Sequence, residues 1–166
     1  IPTFTAAQQL SIHNMYHPGM EHPIANSITC ERGVLITGSN ASGKSTFLKM
    51  VAINAILAQS IHTALAETYR APLYRIYTSM ALRDDLVGGD SYYIVEIKSL
   101  KRILDAAQAS GSRVLCMIDE VLRGTNTVER IAASTRILAG FTHQNIQCFA
   151  ATHDIELTEL LKEQYD

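Results

Sequence analysis

Apolar and polar positions along this chain fall into blocks whose period changes from strand-like to helix-like and back. Val34-Leu35-Ile36 is an unbroken apolar run, as in a strand covered on both faces, and helical spacing follows from Lys44 to about Gln59. Leu73 to Leu82 reads as strand. Asp90-Ser91 opens a second long helix, with Tyr93, Ile97, Leu100, Leu104 and Ala107 marking its buried face. Gly111-Ser112 breaks that helix ahead of Val114-Leu115-Cys116-Met117-Ile118, a continuous apolar run expected of a central parallel strand. A third helix is expected from about Thr127 to Phe141, a strand over Ile146 to Ala151, and a last helix over Ile155 to Lys162. Strands alternating with helices predict an α/β fold: a mostly parallel central sheet flanked by helices, with right-handed crossovers. Pro2, Pro18, Gly19 and Pro23 break any period in the first thirty residues, which we expect to wrap an edge of the core. A single domain over 1–166 follows, with 1–32 as the edge segment and 33–166 as the core, and we expect it to be part of a longer protein.

Composition narrows this only slightly. The chain has 166 residues, of which 47% are hydrophobic, enough for one sizeable core. Fourteen Lys plus Arg against sixteen Asp plus Glu leave a net charge of -2, so there is no general attraction to nucleic acid or anionic membrane. Cys30, Cys116 and Cys148 are far apart in sequence, without a C-x-x-C pair, and read as buried thiols in a reducing, cytoplasmic setting. The most apolar stretch, Phe47 to Ala66, is interrupted by Lys49, Asn54, Gln59 and His62 and fails as a membrane span.

The chemistry begins at the end of the first apolar run. Gly38, Ser39, Asn40, Ala41, Ser42, Gly43, Lys44 and Ser45 read G-S-N-A-S-G-K-S between a strand and a helix. Glycines at both ends let backbone N–H groups and a helix N-terminus converge on phosphate oxygens, which predicts a nucleoside triphosphate ligand. Lys44 would reach the β- and γ-phosphates and Ser45 would hold Mg²⁺. Asp119-Glu120 ends the apolar strand at the sheet edge where such ligands sit. Asp119 would hold Mg²⁺ and Glu120 would polarise a water in line with the γ-phosphate. His153, in Ala151-Thr152-His153-Asp154 at the end of the next strand, would reach the γ-phosphate; a histidine there can also be purely structural.

G-S-N-A-S-G-K-S-T through Thr46, then G-G-D-S-Y-Y-I-V-E, D-E-V-L-R-G-T-N-T and A-T-H-D together resemble the ATPase domain of the MutS DNA mismatch repair family. Arg123-Gly124-Thr125 after the acid pair is similar to that family's D-E-x-x-R-G-T signature. The resemblance implies a P-loop NTPase with an ABC-type ATPase core, Mg²⁺-dependent hydrolysis of ATP, and a homodimer with composite sites. It further implies that Ser91 contacts the γ-phosphate bound by the other subunit, and that Asn40 lies near the γ-phosphate. Ser91 is equally an ordinary helix N-cap, and Asn40 a turn residue. Residues Arg123 to Asn126 would line the dimer seam, or form a helix-entry loop capped by Asn126 or Thr127. Ala41-Ser42-Gly43 stands where the family usually has M-G-G, and Ser91-Tyr92-Tyr93 where it has S-T-F, so a divergent MutS-related branch is expected. For the base, only His22-Pro23-Ile24 is offered ahead of the loop.

The function expected is ATP-driven, dimerisation-dependent switching of how further domains, absent from this chain, grip DNA, with no membrane role. The alternatives are an ABC-type ATPase driving a process other than repair and a nucleotide-gated dimerisation module with little turnover alone.

Overall fold

A computed structural model describes residues 1–39, 41–80 and 92–166. The central sheet is parallel throughout, in the order β4 (Val34–Thr37), β8 (Ile146–Thr152), β7 (Val114–Asp119), β6 (Arg75–Ser79). Every residue of β8, and all of β7 up to Ile118, is buried, because both faces are covered. Leu115, Met117, Phe149 and Ala151 face one core, which contains α1 (Lys44–Ile61). Val114, Cys116, Ile118, Cys148 and Ala150 face the other, formed with α2 (Tyr92–Ser110), α3 (Thr127–Thr142) and α4 (Glu156–Leu160). Strand alternation thus divides a continuous apolar run between two cores, and the chain is an α/β protein with a mostly parallel sheet flanked by helices.

The first thirty residues carry more order than their broken period predicts. β1 (Thr3–Phe4), β2 (Leu10–Met15) and β3 (Asn26–Cys30) join β5 (Thr68–Ala71) in a second sheet, in the order β1-β5-β2-β3. Leu10, Ile12, Met15, Tyr69 and Ala71 on this sheet share the core of α1. α1 therefore lies between two sheets, which is why Phe47 to Ala66 is so apolar: the stretch is core, and no helix among the described residues is long and apolar enough to cross a membrane.

Several boundaries differ from the expected ones. The strand predicted over Leu73 to Leu82 begins at Arg75, after Pro72 has ended β5, and ends at Ser79; residues 81–82 lie outside the described residues. α1 runs two residues further than its periodicity marked, to Ile61, and His62 closes it in the left-handed region at φ 55°. The last helix spans only Glu156–Leu160. All three cysteines are free and buried, as expected of thiols, and burial pushes Cys30 up to about 12.

Candidate functional site

Parallel pairing brings three strand ends to one edge. Thr37 of β4 is the register partner of Thr152 of β8, and Asp119 of β7 that of Ala151, so the loops after β4, β7 and β8 open side by side. Gly43 caps α1 at φ 91°, a left-handed value open to glycine, and offers no side chain to the helix N-terminus. No capping side chain therefore occupies the first-turn N–H groups, and residues 43–46 line the cavity beside them.

That cavity has a volume of about 550 Å³ and is lined by the Ala41-to-Thr46 loop and by Asp119, Glu120, Arg123 and His153. Lys44, 9% exposed, donates from Nζ to the carbonyls of Gly38 at 2.7 Å and Ser39 at 2.9 Å, so its ammonium lies across its own loop. Ser45 Oγ donates to Asp119 Oδ2 at 2.6 Å, joining the loop directly to the acid strand. Glu120 continues the ladder through its N–H to Ala151 O at 2.9 Å, then turns at φ 63°. Its carboxylate is held from both sides, Oε1 by His153 Nε2 and Oε2 by the Arg123 guanidinium.

Behind His153, Asp154 accepts two bonds from Arg130 of α3, both at 2.7 Å, and its N–H donates to Thr152 Oγ1 at 3.0 Å. Arg130 holds the Asp154 carboxyl below the usual carboxylate range. Asn126 is the N-cap of α3, its Oδ1 accepting from Glu129 N at 3.0 Å. Of the roles open to residues 123–126, helix entry is thus visible in the fold.

Of the residues singled out in the sequence, Lys44, Ser45, Thr46, Ala41, Ser42, Gly43, Asp119, Glu120 and His153 line this one cavity. Gly38 and Ser39 do not line it but accept, through their carbonyls, from the Lys44 ammonium that does. Asn40 and Ser91 lie outside the described residues. Sequence reasoning did not anticipate Arg123 as the partner of Glu120, nor the Arg130–Asp154 pair, since neither spacing has a motif of its own. It also did not find a second, more apolar cavity of about 450 Å³, whose wall includes Met20, Ile24, Ile36, Phe47 and Met50 and which shares Ser42, Gly43, Lys44 and Thr46 with the first. Met20 and Ile24 come from the proline-broken segment, where periodicity carries no signal.

For Mg²⁺, the fit rests on chemistry: a serine hydroxyl and a carboxylate meeting at the mouth of the loop are the one or two hard oxygen ligands that this ion takes from protein when phosphates and water supply the rest.

Fold and site together define an α/β protein in which a glycine-bounded strand-to-helix loop, an acid pair and a histidine share one cavity at the carboxyl edge of a parallel sheet. The chain belongs to the MutS family: the family model for MutS domain V matches residues 34–166. It is 33% identical to the DNA mismatch repair protein MutS of Pseudothermotoga lettingae over 99% of this chain and 21% of that protein. It is 35% identical to the MutS of Thermotoga maritima over 97% of the chain and 21% of that protein, and 40% identical to the MutS of Thermus aquaticus over 76% and 15%. The chain thus spans about a fifth of the length of these relatives. These matches correct the expectation that the chain is the family's ATPase domain from a divergent MutS-related branch. What they support is a MutS-related fragment, and the relatives carry the plain MutS name despite the departures at Ala41-Ser42 and Tyr92-Tyr93.

Proposed function

We propose that this chain is the P-loop NTPase, ABC-type ATPase unit of a MutS-like DNA mismatch repair protein, hydrolysing ATP with Mg²⁺ across a homodimer and so switching how other parts of that protein hold DNA. The observation that supports the reading is the Ser45–Asp119 hydrogen bond at 2.6 Å, which joins the start of α1 to the end of the strand whose next residue is Glu120.

On this reading the backbone N–H groups of residues 41–46 receive the phosphates, and Lys44 exchanges its two carbonyl partners for phosphate oxygens. Ser45 and Asp119 would hold Mg²⁺, which supplies charge neutralisation at the β- and γ-oxygens. Glu120 takes up the proton of the attacking water, while His153 fixes one carboxylate oxygen and stands within reach of the γ-phosphate. The apolar cavity along Met20, Ile24, Phe47 and Met50 would take the adenine, in place of the stacked aromatic that His22-Pro23-Ile24 does not provide. Asn40 and, from the other subunit, Ser91 complete the γ-phosphate shell.

The test is nucleotide binding and steady-state hydrolysis by wild type, Lys44→Ala and Glu120→Gln, followed against protein concentration. We expect Lys44→Ala to lose affinity, and Glu120→Gln to bind nucleotide while turnover falls by roughly two to four orders of magnitude. A specific rate that rises with concentration supports the composite dimer. Binding without wild-type turnover would replace this reading with the nucleotide-gated dimerisation module, and unchanged affinity in Lys44→Ala would remove the loop assignment.

A further inference from the structure

β2 does not run evenly beside β3. Ile12 pairs with Ile28 and Met15 with Asn26, so His13 and Asn14 together oppose Ser27: a β-bulge with its extra residue on β2. Asn14 takes the left-handed region at φ 50°, which asparagine adopts more readily than most residues, and its N–H donates to Ser27 Oγ at 2.9 Å. Glu67, the residue before β5, holds the bulge from the other strand. Its Oε2 accepts from Asn14 Nδ2 at 2.7 Å and meets His13 Nδ1 at 3.1 Å, and its N–H donates to His13 O at 2.9 Å. The bonds from Asn14 and His13 hold the Glu67 carboxyl below the usual carboxylate range.

A bulge re-aims the chain that leaves it, and what leaves this one is the segment 16–25. That segment brings Met20 and Ile24 to the apolar cavity and returns at Asn26, whose Nδ2 donates to Ile24 O at 3.1 Å. It contains no helix or strand, and Gly19 and Met20 donate only to nearby His17, so its direction is set where it joins the sheet. There the tie next after the bulge is Tyr16 N–H to Leu65 O at 3.0 Å, two residues from Glu67. Asn14 and Glu67 themselves line neither the apolar cavity nor the one beside Lys44.

We propose that Glu67 is a positioning residue for the base of the nucleotide: by pinning the Asn14 bulge through its carboxylate it aims the segment 16–25, and so sets how closely Met20 and Ile24 approach the base. This rests on the reading above in which the apolar cavity takes adenine. It gives the second sheet a part in nucleotide affinity, although none of its strands meets the phosphate loop in the central sheet.

The test compares wild type, Glu67→Ala, Glu67→Gln and Asn14→Gly by calorimetric titration with ATP and with inorganic triphosphate, both with Mg²⁺. Triphosphate has no base and probes the phosphate loop alone. Stoichiometry reports the folded fraction, so a merely destabilised variant is recognised by losing sites for both ligands. Glu67→Ala should weaken ATP binding about three- to five-fold, the upper range for one exposed charged contact, and leave triphosphate unchanged. Asn14→Gly keeps the left-handed turn, removes only the amide and should lose ATP affinity to the same extent. Glu67→Gln keeps an oxygen that accepts from Asn14 and should stay closer to wild type than to Glu67→Ala. A wild-type ATP affinity in Glu67→Ala overturns the proposal, as does an equal loss for both ligands or a Gln variant as weak as the Ala variant. A wild type that binds ATP no more tightly than triphosphate overturns the assignment of the apolar cavity to the base and this role with it, an outcome distinct from a preference for ATP that Glu67→Ala leaves untouched.

Discussion

Asp154 shows at the level of one residue how the wall behind the site is held. Its carboxylate meets the Arg130 guanidinium in a two-bond, fork-like contact, and its side chain is only 10% exposed. Hydrogen bonding to Arg130 lowers its pKa from the usual 3.8, so the native state binds the proton less readily than the unfolded chain. The stability contributed by this pair is therefore present above pH 3.8 and lost as pH falls through the lower native value. Arg130→Met leaves a nearly buried carboxylate unpaired and should cost about 1–3 kcal/mol in urea denaturation at pH 7. The difference from wild type should shrink as pH falls below 3.8 and through the lower native value, where Asp154 takes up its proton in the folded state too; a difference independent of pH would refute the pair's contribution. Residues of this kind mark the limit of legibility. G-K-S, D-E and the strand-end histidine were readable because their chemistry needs fixed spacing along the chain. Arg123 on Glu120 and Arg130 on Asp154 were not, because the first is set by the conformation of the turn after β7 and the second by the meeting of α3 and the end of β8 in space.

At the scale of elements, α3 is positioned by its own first residues. Asn126 caps it, and Thr125 Oγ1 donates to Glu129 Oε2 at 2.8 Å, so the turn that leaves the acid pair is tied off before the helix begins. Asn126→Ala should lower stability by about 1 kcal/mol, read as a shift in the thermal midpoint, while Thr127→Ala should do far less. A larger loss for Thr127→Ala would place the cap one residue later. The central strands were legible because Val34-Leu35-Ile36 and Val114 to Ile118 are unbroken apolar runs and Ile146 to Ala151 is interrupted only by Gln147, as in a sheet covered on both faces. The second sheet was not: β5 is four residues ended by Pro72, and β2 keeps its alternation, Leu10 and Ile12 inward, only between irregular flanks. Short strands that depend on partners distant in sequence carry too few positions for a period to emerge.

Across the whole molecule, β4, the strand that leads into the glycine-bounded loop at residues 38–45, is also the strand to which residues 165–166 are fastened. Asp166 N–H donates to Gly33 O at 2.9 Å, and Leu35 N–H donates to Asp166 O at 2.9 Å, so residues 165–166 cover the outer edge of β4. Arg32 pairs with the Asp166 carboxylate, while Tyr165, buried between the layers, donates its hydroxyl to Leu138 O at 2.8 Å. This clasp ties β4 to α3 through the last two residues of the sequence. Its tightest point is Gly33, where a Cβ would meet Tyr165 Cε1 at 2.4 Å and the carbonyl of Cys148 at 2.8 Å. The tyrosine ring could move aside, but the carbonyl belongs to central strand β8 and could not without disturbing the ladder. Gly33→Ala should therefore cost about 1–3 kcal/mol by overpacking. If the clasp transmits to the site, Gly33→Ala should also weaken nucleotide binding, because β4 sets the start of the loop at Gly38. Tyr165→Ala in the same background relieves the ring contact and not the carbonyl contact. The loss of thermal midpoint caused by Gly33→Ala should be smaller in the Tyr165→Ala background than in wild type but not zero; no loss there would assign the whole strain to the ring, and an undiminished loss would assign it to β8.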